Sequence, residues 1–137
     1  MPVLGATLPI VSVSVRAPMQ EPLARALVVD DDAALRLLCR VNLELEGFAV
    51  REAATIAEAE AAIAAERPDV VLLDVHLGGE KTHDLLARIR AAGIPVALVT
   101  GSVDMLDYRD SADAVLGKPF VPQTLVETAR RLAKVAQ

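Results

Sequence analysis

The sequence predicts an α/β domain: a doubly wound, five-stranded parallel sheet with helices on both faces. Three observations carry this. From residue 26 onward short apolar runs alternate with longer stretches at helical spacing, the pattern of strands joined by helical crossovers. Two of the runs, Val70–Leu73 and Val96–Val99, are almost unbroken apolar sequence, as strands covered on both faces are. The 137 residues are 53% hydrophobic but only 2% aromatic, which suits a single core built from Ala, Val, Leu and Ile.

The elements follow in order. Strands are expected over Ala26–Asp30, Phe48–Glu52, Asp69–Asp74, Ile94–Thr100 and Asp113–Gly117. Ala34, Leu37, Leu38, Val41 and Leu45 form a helical stripe after the first strand, closed by Gly47. Thr55 and Glu58 make a capping box ahead of Ile56–Glu66, which stops short of Pro68. Leu85, Leu86 and Ile89 mark a third helix ending at Gly93. A last helix carries Leu125, Val126, Ala129 and Leu132, with Arg130, Arg131 and Lys134 at its negative dipole end.

Residues 1–24 do not join the alternation and read as an N-terminal extension to a domain spanning 25–137. Val11, Val13 and Val15 alternate with Ser12, Ser14 and Arg16, so an extra edge strand competes with a loosely held tail or a natural start at Met19. The uncharged run Met1–Val15 is shorter than the roughly 20 apolar residues of a membrane span, and it lacks the basic start of a secretory signal. A single cysteine, Cys39, forms no internal disulfide and reads as a small buried side chain. A cytoplasmic protein is expected. The formal net charge of −5 and the lack of a basic cluster argue against direct nucleic-acid binding.

In a parallel sheet the residues just past the strand ends gather along one rim, where open α/β sheets bind ligands. That rim collects Asp30, Asp31 and Asp32 after the first strand, Asp74 after the third, Thr100 at the fourth, and Lys118-Pro119 after the fifth. Clustered carboxylates make a hard-oxygen site suited to Mg²⁺ and a phosphate oxygen. An ionised Asp beside such a cation can attack phosphorus. Lys118 and Thr100 would meet the charge on the transferred group. Asp32 reads as the cap of the first helix. His76 and His83 read as solvent-facing, since two histidines seven apart without Cys make a poor zinc site.

The pattern LVVDDD, VVLLDVHL, VALVTGS and VLGKPF, from about Leu23 to Val135, closely resembles the receiver domain of two-component response regulators. The resemblance implies a flavodoxin-like fold with strand order 2-1-3-4-5. It implies phosphoryl transfer to Asp74 from a histidine kinase or histidine phosphotransfer protein. Asp31, Asp74 and the backbone carbonyl of His76 would ligate Mg²⁺, assisted by Asp30, while Thr100 and Lys118 would contact the phosphoryl group.

Four departures from the family pattern stand out. Gly78 replaces the usual Pro after the phosphoacceptor, and Thr82 a usual Gly. Val115 stands where the family usually carries an aromatic ring; Tyr108 reads as partly buried packing, with substitution for that ring as the rival reading. Residues 101–113 are about one helical turn shorter than usual, so the fourth helix is expected to be short or irregular.

No effector segment follows Gln137, so the expected function is a single-domain response regulator. It would act through phosphorylation-dependent contacts with a downstream protein or as a phosphorelay intermediate, its only catalysis being its own phosphorylation and dephosphorylation. A homodimer is compatible with this; a membrane partner is not expected. The alternative is a receiver-like binding module working through phosphorylation-independent contacts. A phosphatase with an Asp nucleophile on the first strand is disfavoured, because Asp30-x-Asp32 is followed by Ala33-Ala34 rather than by a hydroxyl or valine.

Overall fold

In the computed structural model the described residues are 21–101, 108 and 110–135. Seven strands and four helices are described: β1 Arg25–Val29, α1 Ala33–Leu45, β2 Ala49–Ala53, α2 Ile56–Ala65, β3 Val70–Asp74, β4 His76–Leu77, β5 Glu80–Lys81, α3 His83–Ala91, β6 Val96–Gly101, β7 Ala114–Lys118 and α4 Pro122–Leu132. Five strands form one sheet in the order β2-β1-β3-β6-β7, every pairing parallel. Counting only these five, the order is 2-1-3-4-5, as expected. The readings of residues 1–20 as tail or edge strand, and of a short or irregular helix over 102–107 and 109, lie outside the described residues.

Alternation along the strands divides the core into two layers. Leu27, Val29, Val71, Leu73 and Leu98 pack with Ala59 of α2, Leu85 and Ile89 of α3, and Tyr108. Val28, Val70, Leu72, Ala97 and Val99 pack with Cys39 and Leu43 of α1 and with Leu125 and Ala129 of α4. β3 is buried from end to end. That explains its unbroken apolar sequence, and also why the one acid at its end sits in an otherwise apolar setting. Cys39 is buried and inert, its thiol pushed up to about 11 by burial and then by the charge of Asp30.

Local signals place the helix ends. Asp32 caps α1, its carboxylate accepting from the backbone of Ala34 at 2.9 Å and of Leu35 at 3.3 Å. Thr55 caps α2 through the Glu58 amide at 3.1 Å. The Glu58 side chain returns to the amide of Ala54, one residue ahead of the cap, at 2.7 Å. Gly47 and Gly93 close α1 and α3 with φ of 100° and 77°, the left-handed conformation that glycine adopts without a Cβ penalty.

One expectation is corrected. Leu37, Leu38, Val41 and Leu45 face outward, at 58%, 39%, 45% and 55% exposure, whereas α1 meets the sheet through Cys39 and Leu43. Leu35, Cys39 and Leu43 also repeat every four residues, so periodicity alone cannot choose between the two lines. Burying the second line also turns Arg36 to the backbone carbonyl of Asp30 at 2.6 Å and Arg40 to Glu52 at 3.0 Å.

Two substitutions check this orientation. Leu43→Ala, at a site with 0% exposure, is expected to cost ~2–5 kcal/mol in urea unfolding. Leu37→Ala should stay within ~0.5 kcal/mol of the parent.

Candidate functional site

The carboxyl ends of β1, β3 and β7 meet at one place. The backbone N–H of Asp30 continues the sheet ladder by donating to the Ala53 carbonyl at 3.0 Å, which draws the side chain into the sheet edge at 3% exposure. Asp74, the last residue of β3, is 7% exposed. Lys118, the last residue of β7, sends its Nζ to 3.4 Å from Asp30 Oδ2 and 3.3 Å from Asp74 Oδ2. The other oxygen of each acid is held by backbone: Asp30 Oδ1 accepts from the Asp32 N–H at 2.9 Å, and Asp74 Oδ1 from the His76 N–H at 3.2 Å. Asp31 is exposed and accepts from the Gly78 N–H at 2.9 Å. The three neighbouring acids thus separate into a buried one, an exposed one and a helix cap.

Asp30, Asp31 and Asp74 each offer an oxygen within 4.8 Å of the others. Unit charges 4 Å apart interact by about 4 kcal/mol at an effective dielectric of 20, so three carboxylates against one ammonium leave an uncompensated excess. The titration behaviour reflects this. Burial lifts the Asp30 carboxyl above its ordinary range; the Asp32 N–H opposes the rise and the charge of Asp74 adds to it. Burial disfavours the Lys118 ammonium, but the charges of Asp30 and Asp74 outweigh that and raise it. Both partners of the Asp30–Lys118 pair move up: at Asp30 one shared ammonium does not offset burial plus a second carboxylate, while at Lys118 two carboxylates outweigh burial. A compact set of hard oxygens short of positive charge fits a small divalent cation such as Mg²⁺.

The loop after Asp74 is ordered by its departures from the family pattern. β4 and β5 form a two-residue hairpin whose turn residues, Gly78 and Gly79, both have positive φ, 56° and 86°, as tight hairpins of this kind require. The sequence reading missed this hairpin; Gly-Gly between His76-Leu77 and Glu80-Lys81 was its signal. Proline at 78 would lack the N–H that holds Asp31. Thr82 is buried, and its hydroxyl lies 2.9 Å from the Asp74 carbonyl and 3.0 Å from that of Val75. It fastens the loop to the end of β3.

Thr100 is buried at the end of β6. It lies one residue beyond the rung pairing Asp74 with Val99, and its own partner Gly117 precedes Lys118. Val115 is half-buried against the core layer that contains Tyr108. Tyr108 is buried, with its hydroxyl 3.0 Å from Nε2 of exposed His83. His76 is exposed as expected. Among the described residues, Asp30, Asp31 and Asp74 are the one group disposed to hold a metal. Arg36 and Glu52 were missed by the sequence reading: Arg36 joins Glu52 Oε1 at 2.9 Å as well as the Asp30 carbonyl, a pairing that no local spacing signals.

Comparison with known proteins agrees with this geometry. Residues 26–130 match the response regulator receiver domain. The DNA-binding response regulator MtrA of Mycobacterium tuberculosis H37Rv is 37% identical over 111 residues, covering 77% of this chain and 49% of the relative. The chain therefore spans about half the length of the curated relatives it matches. Among solved structures, the receiver domain of NtrX from Brucella abortus superposes with a TM-score of 0.75 at 29% identity, covering 81% of this chain and 99% of that one. The chemotaxis response regulator CheY4 of Vibrio cholerae gives 0.72 at 27% identity, covering 80% and 98%. With the sheet order, the acidic edge and the lysine all in agreement, the chain belongs to the response regulator receiver domain family.

Proposed function

We propose that Asp74 accepts a phosphoryl group in a Mg²⁺-dependent reaction, from a histidine kinase or a histidine phosphotransfer protein. The charge then acts through phosphorylation-dependent contacts with a downstream protein or is relayed onward. The observation that carries this reading is the meeting of Asp74 Oδ2 with the Lys118 ammonium at 3.3 Å inside a cluster of three carboxylates.

The chain's own residues divide the work. A carboxylate oxygen of Asp74 attacks phosphorus as the bond from phosphorus to the donor nitrogen breaks. The His76 N–H on Asp74 Oδ1 and the Thr82 hydroxyl on the Asp74 carbonyl hold the nucleophile in one orientation. Lys118 already leans on Asp74 and meets the charge of the arriving phosphoryl oxygens; Thr100 supplies a hydroxyl donor from the neighbouring strand end. Asp31, Asp74 and the His76 carbonyl would hold Mg²⁺, with Asp30 in support. When bound, the cation offsets charge on the phosphoryl oxygens. The phosphorylated side chain carries about −1.5 to −2 charge and acts by shifting a two-state equilibrium.

Val115 favours a second reading. An aliphatic side chain packed against the core has no ring to reorient, which suits a module that binds its partner regardless of phosphorylation. Equal partner affinity with and without a phosphoryl analogue would support that reading over the first.

Incubation with Mg²⁺ and a small acyl phosphate is expected to add one phosphoryl group by intact mass. Asp74→Asn, or a chelator, should abolish the gain; a gain that survives Asp74→Asn would refute the assignment. Lys118→Ala should slow the reaction by about a hundredfold. A third expectation concerns stability without metal. Because the Asp30 carboxyl is raised, its ionisation opposes folding: its contribution is most favourable below the ordinary carboxylate value and is lost as pH rises through the raised value. Asp30→Asn is therefore expected to raise the Tm of the metal-free protein at neutral pH, with a gain that shrinks in acid, measured by thermal melts across pH.

A further inference from the structure

Asp30 is gripped on every polar atom, and one grip comes from a residue the phosphorylation chemistry does not call for. Its N–H is on Ala53, its Oδ1 on the Asp32 N–H and its Oδ2 on Lys118. Its carbonyl accepts from Arg36 Nη1 at 2.6 Å. That carbonyl lies in the same rigid peptide plane as the Asp31 nitrogen, so fixing it fixes the direction in which Asp31 leaves the strand.

Arg36 is itself aimed. Its Nε meets Glu52 Oε1 at 2.9 Å, and the other Glu52 oxygen takes Arg40 Nη1 at 3.0 Å. The Arg36 and Glu52 side chains are only 17% and 26% exposed, and charge-assisted bonds sheltered in this way are the stronger ones. Burial would raise the Glu52 carboxyl, but the bonds from Arg40 and Arg36 outweigh it and hold it below its ordinary range. The bridge ties α1 and the end of β2 to the acidic loop after β1.

We infer that Arg36, steadied by Glu52, is a positioning residue for divalent-cation binding: by clamping the Asp30 carbonyl it holds Asp31 in the orientation that lets Asp31 and Asp74 share one ion. The inference rests on the reading of this pocket as a Mg²⁺ site. Two effects of Arg36 act in opposite directions there. As a nearby cation it repels Mg²⁺, so on charge alone its removal would tighten binding. As a clamp it organises the ligands, and loss of such supporting partners typically weakens metal affinity by 10–100-fold. Positioning outweighs repulsion if the bond geometry governs, so the sign of the change decides.

The test is calorimetric titration of unphosphorylated protein with Mg²⁺ alone, each variant first shown folded by circular dichroism and thermal melting. Arg36→Ala is expected to weaken Mg²⁺ binding about tenfold, and Arg36→Met, which keeps the apolar stem, serves if the alanine variant does not fold. Arg36→Lys should recover part of the loss, because an ammonium can reach the carbonyl or Glu52 but cannot fork between them. Unchanged or tightened binding in a folded Arg36 variant overturns the inference while leaving the site intact. Failure of the parent protein to bind Mg²⁺, or equal binding in Asp31→Asn, overturns the underlying reading of the pocket instead.

Discussion

Burying an acid at the end of an apolar strand requires a counter-charge close at hand, and here a single ammonium serves two acids. Lys118 stands 3.4 Å from Asp30 and 3.3 Å from Asp74. That contact ties the end of β7 to those of β1 and β3, across the middle of the sheet. It exists because parallel pairing delivers every strand's carboxyl end to one edge. Removing Lys118 from this set would leave two buried carboxylates uncompensated, which is far costlier than losing a surface ion pair.

Much of this arrangement could be read from the chain itself. The acids, Thr100 and Lys118 each follow or end an apolar run, and a parallel sheet turns that sequence position into spatial proximity. Caps were readable too, since Asp32 and Thr55 act on backbone only two or three residues away. α1 shows where such reasoning fails. Apolar spacing fits both the exposed line through Leu37 and Val41 and the buried one through Cys39 and Leu43. Tertiary contacts distinguish them: the buried line packs on the sheet and α4, and the same rotation turns Arg36 and Arg40 toward Glu52.

Arg36 was invisible for a related reason. Its carboxylate partner, Glu52, lies sixteen residues away on another element, and a lone arginine in a helix reads as solvated. The β4–β5 hairpin was overlooked because two-residue strands carry too little alternation to stand out. Both omissions surround the acidic pocket rather than lie within it. Chemistry-bearing side chains advertise themselves by type, whereas the groups that orient them do so only through geometry.

The paired glycines of that hairpin have a consequence for how the surface beside the pocket can vary. A methyl group at position 78 or 79 would meet nothing within 4 Å, so crowding is not what keeps glycine there. Torsion is: both residues sit where ordinary side chains are strained. This lip is open to solvent yet closed to most of the amino-acid alphabet, with asparagine and aspartate the natural exceptions. Diversity in the contacts made around the pocket must therefore come from His76, Glu80 and Lys81 flanking the turn, not from its tip.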